Sequence, residues 1–261
     1  MNAPAEELLG LARTLAREAA DHARGRRESG VRIAGTKSSE IDVVTEADRS
    51  TEELLRSRIQ QSRPDDAIIG EEGADRPGTS GVRWIVDPID GTVNYLYGLP
   101  VYAVSVAAAV GDEVVAAVVR NPVSGEEYAA RLGGGATRNG EPIGVREPTT
   151  LAQSLVATGF NYERHVRAGQ AEAVARMLPR VRDIRRMGSC ALDLCGVAAG
   201  VLDAYVEEGP AVWDDAAGGL VAREAGAVLE VVTGRSGKRL VLCAPGHSFE
   251  RFRELVRACG F

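Results

Sequence analysis

The chain has 261 residues, 44% hydrophobic and 26% charged, with 31 Lys and Arg against 37 Asp and Glu for a net charge of −6. That length suits one large domain or two intimate halves, and the apolar share builds a sizeable core, which excludes a disordered chain. The acidic balance argues against a nucleic-acid-binding protein, and the longest apolar stretch, Val101 to Val110, falls far short of the ~20 residues of a membrane span.

The opening residues Met1 to Glu7 lack a basic stretch followed by an apolar one, so no secretory signal is expected and a cytoplasmic location is. Leu8, Ala12, Leu15, Ala19 and Ala23 recur at helical spacing and predict an amphipathic helix over 5–26. It ends in Arg24-Gly25-Arg26-Arg27, read as solvent-facing charge at a helix C-terminus. The β-branched runs Val31 to Ile33 and Ile41 to Val44 predict strands, and a second helix is expected from Ala47 to Gln61. The middle is strand-rich: Ala67 to Ile69, Trp84 to Val86, Val101 to Val110, Val114 to Val119 and Glu127 to Arg131 are bounded by Gly, Pro or Asn. Gly133-Gly134-Gly135 reads as a hairpin and not as a phosphate loop, and Asn139-Gly140 as a tight turn. Beyond Pro148 strands alternate with helices. Strands are expected at Leu155 to Thr158, Val181 to Met187, Ala204 to Val206, Ala227 to Val232 and Arg239 to Cys243. Helices are expected at Val166 to Leu178, Ala191 to Ala199, Asp214 to Ala225 and Phe249 to Cys259. The reading is a layered chain with an α+β half over 1–147 and an α/β half over 148–261. Cys190, Cys195, Cys243 and Cys259 form no CxxC pair and read as reduced core thiols.

Acidic clusters follow three apolar runs: Glu71-Glu72 after Ile68-Ile69-Gly70, Asp87-Pro88-Ile89-Asp90 after Trp84-Ile85-Val86, and Asp214-Asp215 after Trp213. If the chain turns into a helix at Pro88, Asp87 and Asp90 reach one point. Carboxylates converging there would repel each other, and a divalent cation removes the conflict. No His or Cys lies in these motifs, so the all-oxygen donor set favours Mg²⁺ over Zn²⁺. Gly91-Thr92 offers backbone N–H groups for a phosphate and a hydroxyl for an attacking water. Metal, phosphate seat and water together describe phosphate-ester hydrolysis. Several residues carry a plainer alternative: Asp48 and Asp214 as helix caps, Glu207-Glu208 as a solvated pair and Arg185-Arg186 as surface charge. One of Glu71 and Glu72 points to the metal and the other backs it, and Asp215 is a bystander. His22, His165 and His247 read as surface residues.

Gly70-Glu71-Glu72, Trp84 to Asn94 and Trp213 to Gly218 resemble, in order, the signatures of the inositol monophosphatase family. Thr45-Glu46-Ala47-Asp48, Gly188 to Asp193 and Ala204 to Glu207 add to the resemblance, which runs from Lys37 to Gly226. It implies a layered αβαβα fold of the inositol monophosphatase and fructose-1,6-bisphosphatase type, with lithium-sensitive, Mg²⁺-dependent phosphatase activity. It also implies two to three Mg²⁺ per site, with Mn²⁺ as an alternative. Glu71, Asp87, the carbonyl of Ile89, Asp90 and Asp214 match metal ligands, with Asp87 bridging. Asp48 and Thr92, with Glu71, match the residues that activate water. The amides of Gly91 and Thr92 match the phosphate seat, and Asp90, Glu207 and the Gly188–Cys190 segment the polyol wall. Cys190 stands where relatives often carry Ala. The implied activity is hydrolysis of inositol 1-phosphate, a small-molecule phosphate ester, by a homodimer. Histidinol-phosphate phosphatase, fructose-1,6-bisphosphatase and nucleotide 3′-phosphatase are alternatives on the same fold, and a non-catalytic protein-binding scaffold is the alternative of another class.

Overall fold

The computed structural model describes residues 2–147 and 149–261, so Pro148, where the division was expected, lies outside it. In chain order the elements begin with α1 (Asn2–Glu28), β1 (Ile33–Thr36), β2 (Val43–Thr45), α2 (Glu46–Ser62), β3 (Ala67–Gly70), β4 (Val82–Asp90) and α3 (Thr92–Tyr97). There follow β5 (Ala103–Val110), β6 (Glu113–Arg120), β7 (Glu127–Arg131), β8 (Ala136–Arg138), β9 (Glu141–Pro142), β10 (Leu155–Thr158) and α4 (Arg164–Met177). The remainder is β11 (Asp183–Arg185), α5 (Cys190–Ala198), β12 (Ala204–Glu208), α6 (Val212–Glu224), β13 (Ala227–Thr233), β14 (Arg239–Pro245) and α7 (Phe249–Cys259).

A seven-stranded sheet runs β3-β4-β5-β6-β7-β8-β9, parallel only between β3 and β4, and a five-stranded sheet runs β11-β10-β12-β14-β13. Three apolar clusters fill the gaps between layers. Leu8, Leu15, Leu55 and Ile59 of α1 and α2 pack on one face of the larger sheet. Leu194 and Leu220 of α5 and α6 fill the space between the two sheets. Phe252, Leu255 and Val256 of α7 close the outer face of the smaller sheet with Met177 of α4. The result is the αβαβα sandwich. β5 reads as an unbroken small-apolar run because both its faces are buried: Ala103, Ala107 and Ala109 join the central cluster, Val104, Val106 and Ala108 the outer one.

The sequence expectations shift where tertiary contacts decide. The strands expected at Val31 to Ile33 and Ile41 to Val44 form at Ile33–Thr36 and Val43–Thr45, paired with each other. Only Asp183–Arg185 of the expected 181–187 strand pairs, against β10. The expected helix over 214–225 starts at Val212. The second half is not purely α/β, since β14 runs antiparallel to β12 and β13. Arg27 is not simply solvated, because its guanidinium carbon lies 5.7 Å from the centre of the Tyr95 ring. Gly133 and Gly135 sit in the β7–β8 turn and donate backbone N–H bonds to Glu224, and Asn139 (φ 53°) with Gly140 (φ 86°) makes the left-handed β8–β9 turn. All four cysteines are buried and free. Among the described residues no helix is long and apolar enough to cross a membrane.

Candidate active site

A bulge in β4 makes the site. β4 pairs with β5 through Asp87↔Ser105 and resumes at Asp90↔Ala103, with the register broken in between. Three steps along one strand face two along the other, so β4 carries one extra residue. Asp87 and Asp90 would point to opposite faces of a regular strand; the bulge turns both into one pocket. Pro88, which has no N–H to give the ladder, fits that interruption. The expected helix at Pro88 is therefore corrected: the strand continues to Asp90, and α3 starts at Thr92 behind Gly91. Gly91 (φ 99°) is required there, since a Cβ would stand 2.9 Å from the Gly188 carbonyl oxygen. Asn94 Nδ2 donates to Val101 O (2.6 Å) and Met187 O (2.8 Å), tying the segment before α5 to the loop after α3.

Asp90 reaches across to α5. Its carboxylate accepts from Ser189 Oγ (2.5 Å), Ala191 N (2.7 Å) and Cys190 N (3.3 Å). Asp214, in the first turn of α6, accepts from Ala211 N at 2.6 Å, so it caps the helix and also faces the pocket. Asp87 Oδ1 accepts from Ile89 N (2.9 Å), while Asp87 Oδ2 is buried with no partner. Oxygens of Asp87, Asp90 and Asp214 all lie within 4.8 Å of one another. Burial first, then mutual repulsion with Glu71, pushes Asp87 and Asp214 well above the usual carboxylate range. Burial likewise pushes Asp90 up to about 6, against its bonds from Ser189 and α5. A buried oxygen with no donor inside a cluster of carboxylates is what a hard cation needs, and the donor set fits one.

The pocket around this cluster has a volume of about 140 Å³. Glu71 lines it and is held by Lys37 Nζ at 2.7 Å; Lys37 also binds Glu72. Burial, then the charges of Glu72 and Asp48, raise Glu71 to about 7 against the pull of Lys37. Asp48 both caps α2 and bonds to Thr92. One carboxylate oxygen accepts from Thr45 N (2.8 Å) in a capping box, and the other accepts from Thr92 Oγ1 (3.0 Å). Thr92 Oγ1 also lies 3.2 Å from the Ile89 carbonyl.

The profile of the inositol monophosphatase family matches residues 5–260. The chain belongs to the inositol monophosphatase family. It is 46% identical over 283 aligned positions to "Inositol-1-monophosphatase SuhB" of Mycobacterium tuberculosis, covering 99% of this chain and 96% of that one. The solved structure of Mycobacterium tuberculosis SuhB superposes with a TM-score of 0.85 at 42% identity, covering 99% of this chain and 98% of that one. "Nus factor SuhB" of Vibrio cholerae is 37% identical over 224 positions, covering 85% of this chain and 84% of that one. Family membership makes the protein a phosphatase, a hydrolase of phosphate esters.

Strand parity sorts the adjacent acids. On β12, Glu207 lines the pocket and accepts from Tyr205 Oη (2.8 Å), and burial raises it to about 7. Glu208 points the other way and accepts from Ser236 N (2.7 Å) and Oγ (2.6 Å). Gly91, Thr92, Gly188 and Cys190 all line the pocket. Arg186 lines it too, while Arg185 pairs outside with Asp183 at 2.6 Å. Asp215 is engaged by Arg239 at 2.8 Å. His165 and His247 are exposed, whereas His22 is half-buried, with Nε2 3.0 Å from Ser50 Oγ.

Lys37, Tyr162 and Glu52 went unnoticed in the sequence. Lys37 and Tyr162 line the pocket. Glu52 is buried on α2 and accepts from Glu72 N (2.8 Å), Gly73 N (2.8 Å) and Arg56 Nε (2.7 Å). It thus pins the turn that presents Glu71. Its signal was present: Asp48, Glu52, Leu55 and Ile59 share one buried stripe of α2, and acids inside such a stripe are there for a reason.

Proposed function

We propose that the protein is a Mg²⁺-dependent phosphomonoesterase that hydrolyses inositol 1-phosphate to inositol and phosphate. Asp87, with its orphaned Oδ2 and a carboxylate oxygen within 4.8 Å of oxygens of Asp90 and Asp214, carries this reading, together with the family match. Glu71, Asp87, the Ile89 carbonyl, Asp90 and Asp214 would hold two to three ions, and Mn²⁺ would substitute. Bound cations supply a neutralising charge for the phosphate oxygens and a more acidic water.

The chain's own residues do the rest. The amides of Gly91 and Thr92 hold the phosphate. Thr92 Oγ1 donates to Asp48 at 3.0 Å and so turns a lone pair toward the attacking water. As that water attacks phosphorus and the P–O bond to inositol breaks, its proton passes to Thr92 Oγ1 while the Thr92 proton passes to Asp48, and the leaving inositol oxygen takes a proton from a solvent water. Burial raises Asp48, which favours its taking the proton. The Glu207 carboxylate accepts bonds from polyol hydroxyls, and the Gly188–Cys190 segment forms the adjoining wall. The reading places most metal ligands in the half over 1–147 and Asp214 with the substrate wall in the half over 148–261. A homodimer comes with it from the family resemblance, and a cytoplasmic location from the free cysteines.

A panel of phosphate monoesters at fixed Mg²⁺ tests the substrate. Inositol 1-phosphate is expected to give the highest kcat/KM; preference for histidinol phosphate, fructose 1,6-bisphosphate or a nucleoside 3′-phosphate overturns the assignment. The Vibrio cholerae relative, named as a Nus factor, favours a second reading in which a partner protein is bound without catalysis. Unchanged phosphate release by Asp90→Asn would remove that residue from the reaction, and absence of phosphate release from the wild-type protein would leave the second reading standing.

A further inference from the structure

Away from the active site, a cavity of about 280 Å³ is lined by Arg13, Arg17, Arg120, Glu127, Asn139 and Gly140. We propose that it binds a small phosphate-bearing anion. Glu127 is 5% exposed and needs cationic partners. Arg17 supplies them in bidentate form, Nε to Oε2 at 2.8 Å and Nη2 to Oε1 at 3.1 Å, and Arg120 Nη1 adds a bond to Oε2 at 3.2 Å. Both oxygens are then satisfied.

Arg13 has no such duty. Its nearest nitrogen is 3.8 Å from Glu127 Oε1, beyond hydrogen-bonding distance. Three guanidinium groups around one carboxylate leave a formal charge of +2 in a cavity of a protein whose net charge is −6. Three acids close to these residues in the chain are already engaged by other arginines: Glu6 is paired with Arg131, Glu18 with Arg58 and Glu126 with Arg138. Repulsion among the three arginines is a cost that Glu127 alone does not require. A dianion seated between Arg13 and Arg120 offsets it, with forked guanidinium donors matched to phosphate oxygens. Asn139, fixed in the β8–β9 turn by its bonds with the Glu127 backbone (N to O 2.8 Å, Oδ1 from N 2.9 Å), lines the cavity beside the arginines. The cavity suits a small ligand better than a nucleic-acid strand, which would meet the surrounding acidic surface.

The site is separable from the active site, since without metal the carboxylate pocket repels anions. Calorimetric titration of pyrophosphate into metal-free protein is expected to give one-to-one binding with Kd below about 1 mM, and Arg13→Gln to weaken it about tenfold. Arg13 makes no hydrogen bond to Glu127, so the variant is expected to keep the wild-type circular dichroism and Tm; Arg120→Gln provides a second variant. Absence of saturable binding, or binding that Arg13→Gln and Arg120→Gln leave unchanged, overturns the proposal. So does an oligonucleotide that binds through Arg13 where pyrophosphate does not.

Discussion

Asp66 and Asp87 are buried to the same degree, each 1% exposed, yet they are opposite in every other respect. Asp66 accepts from Arg63 Nε (2.5 Å), Ser80 Oγ (2.6 Å) and Trp84 Nε1 (2.9 Å). Burial alone would raise its pKa, but those donors overcome it and hold the carboxyl below the usual range. Asp87, three residues beyond Trp84 on the same strand, receives one backbone N–H and is surrounded by other acids. A buried carboxylate with a surplus of donors holds the fold together; one with a deficit stores repulsion that only an outside cation relieves.

The sharpest way to break this contrast is to neutralise each residue. Asp87→Asn keeps the bond from Ile89 N and removes one charge from the cluster. We expect kcat/KM to fall about a thousandfold, as when a main electrostatic element of a site is lost. The Tm of the metal-free protein should hold or rise. Asp66→Asn should do the reverse: about 2–3 kcal/mol of stability lost, with activity per folded molecule unchanged. Thermal melts with active-site-normalised rates decide it, and a common phenotype for both variants would dissolve the distinction.

The same contrast governs pH. For Asp90, at about 6, and Glu71, at about 7, the folded value exceeds the unfolded carboxylate value near ~4, so the folded state binds more protons in between. Stability of the metal-free protein should therefore fall as pH rises from ~4 through 7. Asp66 acts the other way: its stabilisation is present above its unfolded value and is lost as pH falls through its folded one. Mg²⁺ at about a hundred times its Kd should restore about 2.7 kcal/mol, most fully at the alkaline end where the ligands are ionised. Chemical denaturation across pH, with and without Mg²⁺, measures both slopes. A metal-free protein that gains stability between pH 5 and 7 would contradict the storage of repulsion in the pocket.

Much of this was legible in the sequence, and what was not has a common cause. Order, acidity and flanking apolar runs located Glu71, Asp87, Asp90 and Asp214 because Glu71 follows a strand, Asp87 and Asp90 lie at the end of one and Asp214 opens a helix. The three-residue spacing of Asp87 and Asp90 fitted a helical turn as well as a bulged strand, and only pairing with β5 distinguishes them. Whether Arg185 or Arg186 faces the pocket depends on where the short β11 ends, which its pairing with β10 sets. Lys37 was invisible because its partners Glu71 and Glu72 lie 34 and 35 residues away.

Glu52 sharpens the comparison from a third side, as a buried carboxylate that serves the site by holding backbone. Glu52→Gln keeps the shape but turns one acceptor oxygen into an NH₂, which cannot accept from both Glu72 N and Gly73 N. Glu71 should then be placed less well, raising the Mg²⁺ concentration for half-activation about tenfold, the scale for partners behind metal ligands. kcat at saturating Mg²⁺ should be nearly unaffected. Direct Mg²⁺ titration by calorimetry separates this from a general loss of fold, which would lower Tm and kcat together.

Cys190 should give the smallest effect. It sits beside Asp90, is 7% exposed, and burial raises its thiol well above the ordinary value, so the side chain stays neutral at physiological pH. Its link to Asp90 runs through the backbone N–H at 3.3 Å, which any residue other than proline supplies. Cys190→Ala removes one sulfur from the central cluster, for about 1 kcal/mol of stability. It should leave KM and kcat within about twofold, since 1.4 kcal/mol would be needed for a factor of ten. A large rise in KM would mean that the thiol itself touches the substrate, placing a side chain where the geometry assigns only backbone.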